Sequence, residues 1–465
     1  MHGYFLQWLM KQRGIYMITS ILKNKTLLKS IIILAIPAIM EMGLNTLLGI
    51  ADTLMISHFI GSEALAAVGF ANQIIFTLVF IFTAFNTGAT ALISRNFGEK
   101  NYERLNKIAG ETITVNFIIG LIVVIIGYYF SRSIFSIYDL SQDVLESAIS
   151  YYKIVIISGI FMFLSFSFAA ILRGSGNTKM PMYITGLSNI INIIGNYLLI
   201  KGVGIFPEMG VAGAALSTTI SRGIACLIYM IYLFSGKDKV KILLSDLKIT
   251  KDVIKPLWKI SYPGAIEQTL MQTSFLVSGI IISSLDTASE SAFRILLTIE
   301  SISFMPAVGL SIAAATLVGK SLGEKNEERA IETGYASSAI GIMWGIFMGI
   351  IFLAIPNHIL RVFTSEYHII EISILSMLVA GFNQPFLNFF IVMSGALRGA
   401  GDTLGVMVLT SLRLWILFIP LNYLLVMFLD MGVASLWIAE ILSFMAFCPI
   451  IFTRFRSKKW IKAIH

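Results

Sequence analysis

Two seven-residue segments of this chain occur twice. Gly98-Glu99-Lys100-Asn101-Tyr102-Glu103-Arg104 returns 225 positions later as Gly323-Glu324-Lys325-Asn326-Glu327-Glu328-Arg329, with six of the seven residues identical. Leu172-Arg173-Gly174-Ser175-Gly176-Asn177-Thr178 returns at the same offset as Leu397-Arg398-Gly399-Ala400-Gly401-Asp402-Thr403. Two matches sharing one offset rule out coincidence. The chain is an internal duplication, and each half has to be a version of one structural unit. Pro37 and Glu41 match Pro263 and Glu267, and Asn196-Tyr197-Leu198-Leu199 matches Asn422-Tyr423-Leu424-Leu425, at an offset one residue longer, which supports the duplication.

The composition says which solvent the repeated unit folds in. Hydrophobic residues make up 57% of the chain and charged residues 13%, with a mean hydropathy of +0.84. A soluble domain carries about 25% charged residues. Apolar stretches of about 18 residues or more recur along the whole length, each long enough to cross the hydrocarbon core as a helix. Isolated strands would leave their backbone groups unpaired in lipid. The pattern predicts an all-α integral membrane protein with twelve transmembrane helices, at 30–57, 66–94, 108–130, 148–172, 181–200, 209–234, 256–283, 291–318, 330–355, 369–397, 405–428 and 432–453.

Basic residues orient these spans. Lys11, Arg13, Lys23, Lys25 and Lys29 precede the first, and Arg95, Lys100, Arg104 and Lys107 join the second to the third. The centre holds Lys237, Lys239, Lys241, Lys248, Lys251, Lys255 and Lys259, and the tail Arg454, Arg456, Lys458, Lys459 and Lys462. The alternate connections carry only Arg132, Lys201 and Arg361. This asymmetry predicts that both termini and the central connection are cytoplasmic. The net charge of +8 is then positive-inside charge and not a nucleic-acid footprint.

Six spans per half is an even number, so both halves enter the membrane from the same side. They are parallel repeats, related by a pseudo-twofold axis along the membrane normal. The expected organisation is an N-terminal cytoplasmic extension at 1–27, an N-lobe at 28–235, a cytoplasmic linker at 236–255, a C-lobe at 256–455 and a tail at 456–465. Two such lobes leave a cleft that can face either side as they rock, the architecture of a transporter. In the repeated turns glycine lets the chain reverse, and the charged residues stay hydrated. Arg173 and Arg398 are expected to anchor lipid phosphates or helix ends. Met17 is an alternative start, and Cys226 and Cys448 are expected to be apolar packing residues.

Acids inside a span are costly and mark functional sites. Glu41, Asn45 and Asp52 follow i, i+4, i+11 spacing and share one helical face, so this polar stripe should look away from lipid. Asp52 reads as a proton or cation site, or as a helix cap near the interface. Span five supplies Asn189, Asn192 and Asn196 at i, i+3, i+7. Amide oxygens can ligate a hard cation or accept from a protonated acid, and amides also tie membrane helices together. The second half offers Glu267, Gln268 and Gln272 on span seven, Arg294 and Glu300 on span eight, and Asn383, Gln384 and Asn388 on span ten. These are a candidate substrate cavity or second polar site. Arg413 and Glu440 read equally as structural ion pairs or substrate contacts. Pro37 and Pro263 each remove a helical hydrogen bond and are candidate hinges.

The residues reached so far resemble the multidrug and toxic compound extrusion family of the flippase-like exporter superfamily. The resemblance rests on Ala51-Asp52-Thr53, both Leu-Arg-Gly-x-Gly-x-Thr turns, Asn192 to Leu199, and Gly210-Val211-Ala212-Gly213-Ala214-Ala215, in this order across residues 28 to 455. It implies export of cationic or amphipathic organic compounds driven by inward protons or sodium, with no other cofactor. It implies further that Asp52, Asn192, Asn196 and Thr218 match the family's N-lobe cation site, with Glu41 as a second acid. Relatives often carry aspartate at the position of Asn196, so this lobe lacks one acid of a two-carboxylate relay. Sodium-coupled relatives have acids on spans seven and ten. Glu267 resembles the first of these, but span ten carries amides, so a C-lobe sodium site of that kind lacks its second acid. The expected partners are small organic cations or amphipathic drugs and membrane lipids. The expected state is a monomer in a prokaryotic plasma membrane.

A flippase for lipids or lipid-linked oligosaccharides is the competing reading within transport. Anionic pyrophosphate cargo calls for arginine in the cavity, whereas this midplane is rich in acids and amides. An enzyme would need a nucleophile–base pair or metal ligands, and His2, His58, His358, His368 and His465 are scattered. No Gly-x-x-x-x-Gly-Lys-[Ser/Thr] phosphate loop is present, which argues against direct ATP drive.

Overall fold

The computed structural model describes residues 24–138, 140–236 and 239–462. Lys11, Arg13, Lys23, Lys237 and Met17 therefore lie outside the described residues, as does most of the expected 1–27 extension. Every regular element among the described residues is helical. The twelve long segments are α1 (Lys25–Phe59), α2 (Ser62–Gly98), α3 (Tyr102–Tyr129), α4 (Gln142–Ile157 with Gly159–Gly174), α5 (Lys179–Lys201), α6 (Gly210–Phe234), α7 (Lys251–Ser283), α8 (Thr287–Gly323), α9 (Glu327–Ala354), α10 (Tyr367–Gly399), α11 (Thr403–Met427) and α12 (Ala434–Arg456). Ten of them are individually long and apolar enough to cross a membrane, and α4 makes an eleventh although bent by 46° at Ser158. α2 is a continuous helix of 37 residues. The short helices Ser131–Phe135 and Pro356–Phe363 precede α4 and α10, so the duplication extends to minor elements.

The repeated turns are nearly superimposable in backbone geometry. Lys100 and Lys325 are left-handed, at φ 57° and 56°. Asn101 and Asn326 cap the following helices, each accepting from the amide three residues on, at 3.1 and 2.9 Å. The left-handed position therefore falls on lysine and not on the preceding glycine. In the second motif the positive φ does fall on glycine, at Gly176 (87°) and Gly401 (89°).

The helices assort into two compact units. One is Met40–Gln268; the other is the chain up to Ile39 together with Thr269 onward. The boundaries fall inside α1 and α7, a few residues beyond Pro37 and Pro263. In the second unit, Leu27, Ile31 and Ala35 of α1 are buried with Ala307, Leu310, Ala313 and Ala314 of α8. A side chain at Gly309 would collide with the Ile39 backbone, so glycine permits the close crossing. In the first unit, Ser261 of α7 donates to the Phe85 carbonyl at 2.9 Å, over Gly88 of α2. The two repeats have exchanged their first half-helices. Helical periodicity says which face is buried, but not against which helix.

The connection after α6 is also part of the first unit. Val240 and Ile242 are buried, and the Thr114 hydroxyl donates to the Leu247 carbonyl at 2.7 Å. The Lys241 amide donates to Asn106 Oδ1 at 3.2 Å, and Thr250 donates to Glu111. Gly110 leaves room for the backbone of Asp246. Beyond α12, Trp460 is stacked on Phe455 at 4.8 Å and buried.

Candidate functional site

In the first unit, α1, α5 and α6 bring together Asp52, Asn192, Asn196 and Thr218. Asn196 Nδ2 donates to Asp52 Oδ1 at 2.6 Å and to Asn192 Oδ1 at 3.1 Å. Asn192 Nδ2 donates to the Thr218 hydroxyl at 3.1 Å, which itself donates to the Ala214 carbonyl at 3.0 Å. Both asparagines are 1% exposed, and Asn196 Oδ1 has no partner. Gly195 lies directly against Ser217, so α5 and α6 approach closely. The Ser217 hydroxyl locks the crossing by donating to the Asn192 carbonyl at 2.8 Å.

The Asn192 amide can be seated in two ways, and its neighbours favour the one with the nitrogen toward α1. With its oxygen toward α1, two acceptors face each other, because that position is 2.9 Å from Asp52 Oδ1. A proton or cation on the carboxylate satisfies this arrangement. With the amide turned over, Nδ2 donates to Asp52 at 2.9 Å, and the oxygen faces the Thr218 hydroxyl at 3.1 Å. That seating suits a bare carboxylate, since hydrogen bonds to the charged form favour it.

Arg222, one turn beyond Thr218, is a site residue that the polar-stripe reasoning misses. It lies within electrostatic reach of Asp52 and the Tyr151 hydroxyl. Its Nη1 donates at 3.0 Å to Ser158, at the bend of α4. A lone arginine amid an apolar span was the available signal.

Glu41 is not part of this cluster. It is 3% exposed and ion-paired with Arg173 of the Leu-Arg-Gly turn. Eleven residues of helix separate it from Asp52, about 16 Å at 1.5 Å per residue. The pairing ties α1 to the C-terminal end of α4. Asn45 is exposed. Asn189 donates to the Leu44 carbonyl at 2.8 Å, tying α5 to α1.

The second unit holds a larger polar core. Glu300 of α8 accepts from Gln384 Nε2 at 3.1 Å and from Trp437 Nε1 at 3.3 Å. Glu440 of α12 accepts from Asn383 Nδ2 at 3.1 Å. Asn388 donates to the Ser303 hydroxyl at 3.3 Å. Arg413 donates to the Ser443 hydroxyl at 3.0 Å and sits 3.9 Å from the Phe444 ring centre. It opens a π-helical stretch, Arg413–Phe418, within α11, and such stretches often accompany functional sites. Arg294 is exposed and paired with Glu290, away from Glu300. Gln272 is half-buried. Glu267 and Gln268, grouped by sequence with this half, fall in the first unit and are buried or half-buried there. Among the described residues no group of three or more His, Cys, Asp or Glu side chains is placed to hold a metal.

Residues 37–198 and 263–424 each match the MatE family, one match per repeat. The chain belongs to the MatE family. A relative in Thermotoga maritima, "Probable multidrug resistance protein NorM", is 32% identical over 442 residues, covering 93% of each chain. The "Uncharacterized transporter YisQ" of Bacillus subtilis is 28% identical, covering 97% of this chain and 99% of its own. Among solved structures, one described as "Crystal structure of MATE in complex with MaL6" superimposes with a TM-score of 0.87 at 22% identity, covering 94% of this chain and 97% of that one. The MatE matches begin at Pro37 and Pro263, so both candidate hinges open the repeated unit. The protein is thus a multi-pass membrane protein of the two-lobed MatE fold.

Proposed function

We propose that this MatE-family protein is a secondary active multidrug exporter. It moves cationic or amphipathic organic compounds out of a prokaryotic cell against inward protons or sodium ions, by rocking of its two lobes. Both termini face the cytoplasm, the working unit is a monomer, and no cofactor is needed beyond the coupling ion. The observation that carries this reading is the seat of Asp52, whose surroundings can satisfy either a bare or an occupied carboxylate. With the carboxylate bare, Asn192 and Asn196 both donate to it. With a proton or sodium ion on it, the Asn192 oxygen faces the carboxylate, and its Nδ2 donates to Thr218. Occupancy at α1 is thereby read by α6, and the buried Asn196 oxygen is a further ligand for sodium. The names of the relatives support drugs as the cargo.

The test is transport by the full chain reconstituted in vesicles, with a fluorescent organic cation and a proton or sodium gradient imposed separately. Uptake should appear only with a gradient, and Asp52→Asn should abolish it in protein that remains monodisperse. Gradient-independent uptake, or full activity in Asp52→Asn, would overturn the proposal. The gradient that drives uptake identifies the ion.

A further inference from the structure

We infer that the connection from α6 into α7 is a binding surface for anionic phospholipid, where exposed leucines enter the headgroup layer and unpaired lysines hold the phosphates. The stretch carries six lysines, Lys239, Lys241, Lys248, Lys251, Lys255 and Lys259, against two acids, Asp246 and Asp252. Both acids are engaged within the first unit. Asp246 accepts from the Leu243 amide at 2.8 Å, and Asp252 lies within electrostatic reach of Lys107 and Arg104 on α3. Lys241, Lys248, Lys251, Lys255 and Lys259 are exposed and form no ion pair among the described residues. The repeated turns differ, because there Arg95, Lys107, Lys320 and Arg329 are each paired with a glutamate.

The apolar part of the surface is equally distinct. Leu243 is 53% exposed, Leu244 78% and Ile249 48%, whereas the turns at 95–107 and 320–332 expose no large hydrophobic side chain among the described residues. Docking on α3 sets the depth of these side chains. The Leu247 carbonyl is bonded to Thr114 and the Asp246 backbone lies against Gly110. The neighbouring leucines are thereby held level with the start of the apolar span at 108–130. α7 continues the surface: Val253, Leu257 and Ile260 are buried, which turns Lys251, Lys255, Trp258 and Lys259 outward. Trp258 is 58% exposed, with its ring 6.1 Å from that of Phe85 on α2. Tryptophan concentrates where lipid meets water. Clustered lysines beside a span attract anionic lipid, each strengthening binding about fivefold.

The inference rests on the proposed orientation only for naming the leaflet as the inner one. Its test is independent of transport and of orientation, since a nanodisc exposes both leaflets. Cys226 and Cys448 are buried, so a bimane fluorophore is directed to Leu244→Cys in the full chain. The labelled protein is placed in phosphatidylcholine nanodiscs holding a trace of phosphatidylglycerol or of phosphatidylcholine, each spin-labelled beside the headgroup. Spin-labelled phosphatidylglycerol should quench at roughly tenfold lower content than spin-labelled phosphatidylcholine. Adding Lys248→Gln/Lys251→Gln/Lys255→Gln should remove that preference. Equal quenching by the two lipids, or an undiminished preference in the lysine variant, would overturn the inference. So would a fluorophore quenched by aqueous iodide and by neither lipid, the result for a face that meets water or a soluble partner. A further measurement needs no lysine substitution: in about 1 M potassium chloride, where screening acts within about 3 Å, the preference should vanish. A preference that survives such salt would overturn the inference even if the lysine variant fails to fold.

Discussion

Replacing Glu41 by glutamine removes one member of an ion pair that joins α1, just beyond Pro37, to the last turn of α4. Glu41 is 3% exposed, and the Arg173 side chain retains only 16% of its accessible surface. Surface screening therefore does little to weaken the interaction. Breaking such a pair by removing one partner costs roughly 3–5 kcal/mol, whereas replacing both by apolar side chains of similar volume ranges from neutral to stabilising by about 1–4 kcal/mol. Glu41→Gln, Glu41→Met and Arg173→Met should each lose about 3–5 kcal/mol, and Glu41→Met/Arg173→Met should return close to wild type, so that the two methionine singles and the double close a cycle. The double-mutant cycle should give a coupling of about 3 kcal/mol or more. Unfolding free energies from steric trapping in bicelles would supply all four corners. Single variants within about 1 kcal/mol of wild type, or an additive cycle, would refute the buried-pair account. A stable Glu41→Gln protein that has lost ion-driven transport would show Glu41 to be a coupling residue.

The turns and the docked connection give further tests. Lys100→Gly and Lys325→Gly should each be neutral to stabilising by up to about 1 kcal/mol, because glycine holds a left-handed backbone without the side-chain penalty; a clear loss of stability would contradict that geometry. Gly110→Val should force the Asp246 backbone away from α3 and speed proteolysis between residues 239 and 250. Unchanged protection would mean that the connection is held elsewhere. Arg222→Gln should shift the sodium or proton concentration giving half-maximal transport, since it removes a positive charge near Asp52, whereas a purely structural arginine would lower the amount of folded protein without moving that midpoint.

The frame is legible in the sequence because lipid makes it so. Each span must be long and apolar, and a duplicated turn betrays its copy. The convergence of Asp52 with Asn192, Asn196 and Thr218 follows in part from helical spacing, which puts the asparagines on one face of α5. The partner of Glu41 does not follow, because Arg173 lies 132 residues away and no local rule connects them. The second-unit core was visible only as separate polar residues. That Asn383 and Gln384 divide their amides between two acids depends on how α8, α10 and α12 pack. The bend of α4 at Ser158 leaves no proline as a marker, and Arg222 gives it a polar partner instead.

The exchanged half-helices bear on how the chain is made. The first unit is incomplete until the ribosome has delivered residues up to Gln268, well past the end of α6. The second unit contains both the first helical turns among the described residues, before Ile39, and α12, at the other end of the chain. The opening stretch of α1 must therefore wait, in the membrane and without its final neighbours, until α8 emerges to bury Ile31 and Ala35. Cutting the gene between the two repeats would strand a half-helix on each product. Two separately expressed halves can regain the native arrangement only by exchanging those half-helices.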